Sequence, residues 1–147
     1  MSVSVVCLTH NKLLFLKDFL ASFLENALSD TELVVCAQGC TDGTNRWLSQ
    51  YKFNSIIRSN HTKFVIEDTN TGLSRYDELV QTYTAGDILI DCDDDSILPV
   101  GYEEVLADVL TDQRFGWVGI PAKNTKLLKF PGGRQWNVNG YRVVEAA

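Results

Sequence analysis

The sequence predicts an α/β protein of three layers, αβα, in which a mainly parallel sheet is covered by helices on both faces. Three observations predict it. Strand-like apolar runs alternate with helical periodicities through the first 120 residues; the runs lack the in-and-out alternation of a half-exposed sheet; and one of them ends directly in three aspartates. Strands buried on both faces read as continuous apolar runs, and sheets of this kind collect ligands at the carboxyl ends of their strands.

Val3 to Leu8 is a short apolar run rich in valine and predicts the first strand. Leu13, Leu16, Phe19, Leu20, Phe23, Leu24 and Ala27 then recur at three- and four-residue spacing, which predicts an amphipathic helix whose Phe15, Phe19 and Phe23 stripe is core. Glu32 to Ala37 predicts a second strand, and the turn from Gly39 to Gly43 leads into a helix through Trp47 and Leu48 with Thr41 or Asp42 as N-cap. Lys63 to Glu67 is expected as a strand, Leu73 to Tyr83 as a helix, and Asp87 to Cys92 as a strand running into the acids. Pro99 suits the start of a helix carrying Val105, Leu106, Val109 and Leu110, and Phe115 to Ile120, with Trp117, is expected as a fifth strand in the core. Residues 1–120 form the expected core domain, and residues 121–147, with three glycines, a loop-rich tail.

Composition narrows the partners. With 13 Lys and Arg against 19 Asp and Glu, the formal charge of −6 repels a phosphate backbone, so no nucleic acid is expected. The apolar stretch from Leu13 to Leu28 is broken by Lys17, Asp18 and Glu25, so no integral membrane segment is expected. The N-terminus opens on a strand-like run instead of a secretory leader, and a cytoplasmic location is the expectation. Cys7, Cys36, Cys40 and Cys92 lack the spacing of a zinc site and are read as reduced thiols, three of them packed in strands.

Asp93, Asp94 and Asp95 carry the chemistry. Clustered carboxylates, with Asp91 close by, raise one another's pKa unless a cation or strong donors compensate. An all-oxygen set favours a hard ion, Mg²⁺ or Mn²⁺, and leaves coordination positions open for phosphate oxygens.

Several segments in order resemble the GT-A glycosyltransferases of family 2: Ser4 to Asn11 at the first strand, Glu32 to Val35 followed by Gly39 to Thr44, then Asn70-Thr71-Gly72, Gly86-Asp87 and Cys92 to Asp95. The resemblance covers about residues 2 to 120 and implies the Rossmann-like fold of a nucleotide-diphospho-sugar transferase. It also implies that Thr9, His10 and Asn11 line the nucleoside pocket, with His10 packing beside the nucleoside. Asp93 and Asp95 would form the family's DxD motif and hold the metal, with Asp93 and Asp94 at the donor and Arg75 approaching its diphosphate. A departing nucleoside diphosphate gathers negative charge, which a carboxylate-held cation and a guanidinium both stabilise.

Two departures stand out. The aspartate that commonly ends the second strand is Ala37, with Gln38 beside it: Gln38 presents an amide to the base, or the pocket is less selective, or the nucleotide is not a uridine one. The acceptor half is nearly absent, so no catalytic base is identified, Glu145 being the only acid after Asp112; Trp136 in that tail is read as loop packing. The chain is therefore read as a metal-dependent transferase acting on a nucleotide-sugar donor and a saccharide or other hydroxyl acceptor, short of an acceptor region and belonging to a longer chain or an oligomer. Two rivals are a half-length nucleotide-sugar-binding domain without catalysis, and a haloacid-dehalogenase-like phosphohydrolase with Asp91 as nucleophile and Asp93 as acid/base.

Overall fold

The computed structural model describes residues 2–114, 116, 118, 135–138 and 141–144. They fall into two compact units, Met1–Val100 and Gly101–Ala147.

The first unit holds four strands, β1 (Val3–Thr9), β2 (Glu32–Gln38), β3 (Thr62–Glu67) and β4 (Ile88–Asp93). They pair in parallel in the order β3-β2-β1-β4, as the alternation of elements predicts. Between them run α1 (Leu13–Asn26), α2 (Thr44–Gln50), α3 (Ile56–Asn60) and α4 (Tyr76–Tyr83). Side-chain parity on β3 sorts the faces. Phe64 points to the ring cluster of Tyr51 and Phe53 that follows α2, and Lys63, its neighbour, reaches the ring of Tyr83 on α4. Successive side chains of a strand point to opposite faces, so α2 and α4 cover opposite sides of the sheet. The central strands β1 and β2 are accordingly buried almost throughout, serine and glutamine included.

On α1, Leu16, Phe19, Leu20 and Phe23 are sealed from solvent, each side chain contributing about 1.5–3 kcal/mol by leaving water. Phe15 departs from the expected stripe and is 55% exposed, because it lies a hundred degrees around the helix from Leu16. The carboxyl end of α1 is closed by a residue from a helix that the sequence pattern did not reveal. Arg58 of α3 donates to the carbonyls of Thr31 (3.0 Å), Leu28 (2.7 Å) and Ala27 (3.4 Å) and lies over the Phe23 ring. The five residues of α3 are too few for a periodicity to show; Ser55 caps it, accepting from the N–H of Arg58.

Three further expectations are corrected. The residue at the N-cap of α2 is Gly43, in the left-handed region at φ 93°, and Asp42 acts from one position earlier. The helix expected from Leu73 begins instead as a 3₁₀ turn, Gly72–Arg75, since the Asn70 side chain accepts from the N–H of Gly72 and Ser74 donates to the Thr71 carbonyl. Strand β4 is not buried on both faces: Ile88, Ile90 and Cys92 point inward, whereas Leu89 is 43% exposed and Asp91 and Asp93 share its side.

In the second unit, α5 (Tyr102–Leu110) starts three residues after Pro99, once Gly101 has turned the chain at φ 74°. Strands β5 (Gln135–Val138) and β6 (Tyr141–Val144) pair as an antiparallel hairpin where a loop-rich tail was expected. Phe115, Trp117, most of the expected fifth strand, the Trp136 side chain and Glu145 lie outside the described residues. Among the described residues no helix is long and apolar enough to cross a membrane.

Candidate donor-binding site

The chain leaves β1, builds β2 and then β3 on one side of it, and returns to place β4 on the other side. Between β1 and β4 the strand order reverses, and sheets of this kind take their ligands at such a point, outside the carboxyl ends of the strands. Thr9 ends β1 and is buried, and its hydroxyl donates to Asp94 Oδ2 at 2.7 Å. That bond ties the end of β1 to the turn after β4. Asp94 itself is only 5% exposed, and its other oxygen, Oδ1, lies 3.2 Å from the ammonium of Lys12. Lys12 also reaches Asp95 Oδ2 at 3.4 Å, so one lysine spans two consecutive acids. The hydrogen bond to Asp94, then the charges of Asp94 and Asp95, hold the Lys12 ammonium above its usual pKa.

Strand β4 and the turn after it send the three acids different ways. Asp93 is exposed at the strand end, Asp94 turns in, and Asp95 turns out again with half of its side chain in solvent. Burial and then the charge of Asp93 raise the Asp91 carboxyl above its ordinary value. Tyr76 of α4 stands on that side of the sheet: burial, followed by the charge of Asp91, pushes its hydroxyl up to about 12.

The other predicted residues form a second group at the ends of β1 and β2. His10 Nδ1 meets the Gln38 carbonyl at 2.7 Å; a carbonyl only accepts, so the proton sits on Nδ1. Asn11, with φ 55°, accepts the Thr41 N–H on Oδ1 at 2.6 Å and so links the β1 loop to the turn after β2. Gln38 is buried and its amide donates to the Thr71 hydroxyl (3.3 Å) and the Gly72 carbonyl (3.4 Å). Arg75 is engaged by Glu67 at the end of β3 and by Glu78 one turn along, and hydrogen bonds to Glu78 and then Glu67 raise its pKa. The structure thus joins Thr9 to Asp94 directly and Asp94 to Asp95 through Lys12, sets His10, Asn11 and Gln38 beside them, and commits Arg75 to two glutamates at the sheet's β3 side. Sequence reasoning missed Lys12. Its signal was a cation one residue beyond the Thr9 to Asn11 loop.

The family model described as glycosyl transferase family 2 matches residues 4–143. The chain belongs to that family. Membership decides against the phosphohydrolase reading of Asp91 and Asp93. No curated protein matches the chain by sequence. Solved structures do share its fold. Residues 1–349 of TarS from S. aureus superpose with a TM-score of 0.61 at 18% identity, over 83% of this chain and 39% of that one. The complex of the same TarS fragment with UDP-GlcNAc gives 0.61 at 20% identity, over 83% and 37%. The mannosyltransferase PcManGT from Pyrobaculum calidifontis, in complex with GDP-Man and Mn²⁺, gives 0.55 at 21% identity, over 70% and 30%. The family 2 chain thus spans less than two-fifths of the length of these proteins.

Among the described residues no group of three or more His, Cys, Asp or Glu side chains is gathered closely enough to enclose a metal ion. What the acidic turn does offer is two outward carboxylates, Asp93 and Asp95, the latter already facing a cation in Lys12. That donor set fits a hard ion of the Mg²⁺ kind, which binds through one or two carboxylates and completes its shell with phosphate oxygens and water.

Proposed function

We propose that this domain binds a nucleoside diphosphate sugar at the carboxyl ends of β1 and β4 and forms the donor half of a glycosyltransferase that delivers the sugar to a hydroxyl acceptor. The observation that carries the reading is the Thr9 to Asp94 hydrogen bond across the reversal point of the sheet, which joins the end of β1 to the acidic turn after β4 in a family 2 domain. The TarS fragment in complex with UDP-GlcNAc and PcManGT in complex with GDP-Man and Mn²⁺ share this fold and support a nucleotide-sugar ligand.

In this reading Asp93 and Asp95 would hold Mg²⁺ or Mn²⁺, which when bound supplies positive charge against the departing diphosphate. Asp94 keeps Thr9 and Lys12 in place. His10, its proton fixed on Nδ1, presents its other ring edge beside the nucleoside, while Asn11 and Gln38 hold the walls of the pocket. Arg75 reaches a diphosphate only by leaving Glu67 and Glu78.

The test is binding of UDP, GDP and dTDP to the 147-residue chain by calorimetry and thermal shift, with and without Mn²⁺. Metal-dependent binding of at least one is expected, and a concentration of 100 times the Kd should stabilise the fold by about 2.7 kcal/mol. No response to any of the three overturns the reading. Release of sugar to water without transfer to any acceptor would favour the donor-binding domain over the complete enzyme.

A further inference from the structure

Lys12 is the last residue before α1, and its placement has three parts. Its ammonium lies 3.2 Å from Asp94 Oδ1 and 3.4 Å from Asp95 Oδ2. The remaining oxygen of Asp94 is taken by the Thr9 hydroxyl, so Asp94 is fixed at both ends and is itself nearly buried. Asp95 and Lys12, by contrast, each leave about half of the side chain in solvent, 50% and 46%. One contact of Lys12 is therefore an anchor on a fixed, buried carboxylate, and the other is a loose contact to an exposed one.

That asymmetry gives the lysine two positions. A divalent cation that takes Asp95 shares that carboxylate with an ammonium of the same sign 3.4 Å from its Oδ2, and the exposed half of the contact is the one that gives. Lysine carries a compact charge on a flexible four-carbon stem, so it can release Asp95 and swing about Asp94 without disturbing α1. The charge it then offers stands beside the acidic turn, at the carboxyl ends of β1 and β4.

Resting on the donor-site reading above, we propose that Lys12 is the resident counter-ion of the acidic turn: it competes with the divalent cation for Asp95 and, once displaced, supplies a second positive charge to the diphosphate of the donor. Lys12 is a diphosphate-binding and positioning residue. Its removal makes the metal bind better and the nucleotide bind worse, opposite changes that a loss of packing would not produce together.

The experiment uses the 147-residue chain as wild type, Lys12→Met and Lys12→Arg. Free Mn²⁺ is followed by electron paramagnetic resonance in the absence of nucleotide, and UDP and GDP binding is then measured by calorimetry at saturating Mn²⁺. Lys12→Met is expected to bind Mn²⁺ alone about fivefold more tightly, the size of one partly exposed charge contact, and the nucleoside diphosphate more weakly. Lys12→Arg keeps the charge and should stay near wild type in both measurements. Equal or weaker Mn²⁺ binding by Lys12→Met overturns the inference. Nucleotide binding without any Mn²⁺ binding also overturns it while leaving the donor site standing, whereas loss of every nucleotide response in the wild type overturns the site as well.

Discussion

Asp42 is the residue on which two helices start. One carboxylate oxygen accepts the N–H of Leu13 at the head of α1 (2.9 Å), and the other accepts both the N–H (3.1 Å) and the hydroxyl (2.6 Å) of Thr44 at the head of α2. Burial pushes this carboxyl up, but the Thr44 hydroxyl and the two N–H groups outweigh it and the pKa falls below the ordinary value. A depressed folded pKa means that the ionised form stabilises the fold. The contribution is complete above the unfolded-state value near about 4 and disappears as pH falls through the lower folded value. Asp42→Ala should cost about 1–2 kcal/mol at neutral pH, the price of a lost cap. Asp42→Asn keeps an acceptor but not the charge, and its deficit in thermal midpoint relative to wild type should shrink between pH 5 and about 3. A deficit constant over that range would show that the charge contributes nothing.

Among the elements, β4 depends on a glycine. A Cβ added at Gly86 would stand 2.5 Å from Ser4 Oγ, 2.7 Å from Ser4 N and 2.9 Å from the Val3 carbonyl carbon, two of which are backbone atoms of β1. The closeness is used. The Gly86 N–H donates to Ser4 Oγ at 2.9 Å, and that hydroxyl donates to Glu32 at the start of β2, which also accepts the N–H of Ala85. Gly86→Ala should therefore destabilise by about 1–3 kcal/mol, as overpacking does, because β4 must back away from β1. Urea denaturation reads this directly. Since the pairing of β1 with β4 also sets the Thr9 to Asp94 bond, the variant should bind nucleotide more weakly at temperatures where it is still folded; unchanged stability would mean that the two strands can separate freely. Near the same amino ends of the strands Arg58 shows a like dependence, three carbonyls after α1 resting on one guanidinium.

Across the whole molecule, the thiols report on cooperative opening. Cys7 and Cys92 are buried opposite each other in β1 and β4, Cys36 is buried in β2 opposite Leu8, and burial pushes Cys36 and Cys92 up to about 12 and Cys7 well above its ordinary value. Only Cys40, beside the β1 loop, is partly accessible. A maleimide should modify one thiol per molecule in the native protein and the other three only as the sheet opens, with rates that follow the unfolding free energy in urea. Fast modification of all four under native conditions would mean that the sheet opens independently of global unfolding.

The strands of the sheet and the helices α1, α2 and α4 were legible because each follows from a pattern a few residues long: valine-rich runs, three- and four-residue spacing, glycine at the turns. The resemblance added the family, carried by the order of segments from Ser4 to Asp95. What sequence reading could not give was pairing across the chain. Nothing local in Asp93-Asp94-Asp95 says that the middle acid turns inward; the hydroxyl of Thr9, 85 residues away, holds it there. The resemblance made Gln38 and Arg75 ligand contacts, yet their partners, Thr71 and Gly72 for one and Glu67 and Glu78 for the other, appear only once β2, β3 and the 3₁₀ turn are placed. The sequence by itself determined the layers, the parallel sheet and the presence of an acidic turn at a strand end. Only the tertiary structure decided that Lys12 holds that turn, because an ion pair is set by the distance between side chains in space, and the reversal of strand order between β1 and β4 is what brings residues 12 and 95 within 3.4 Å.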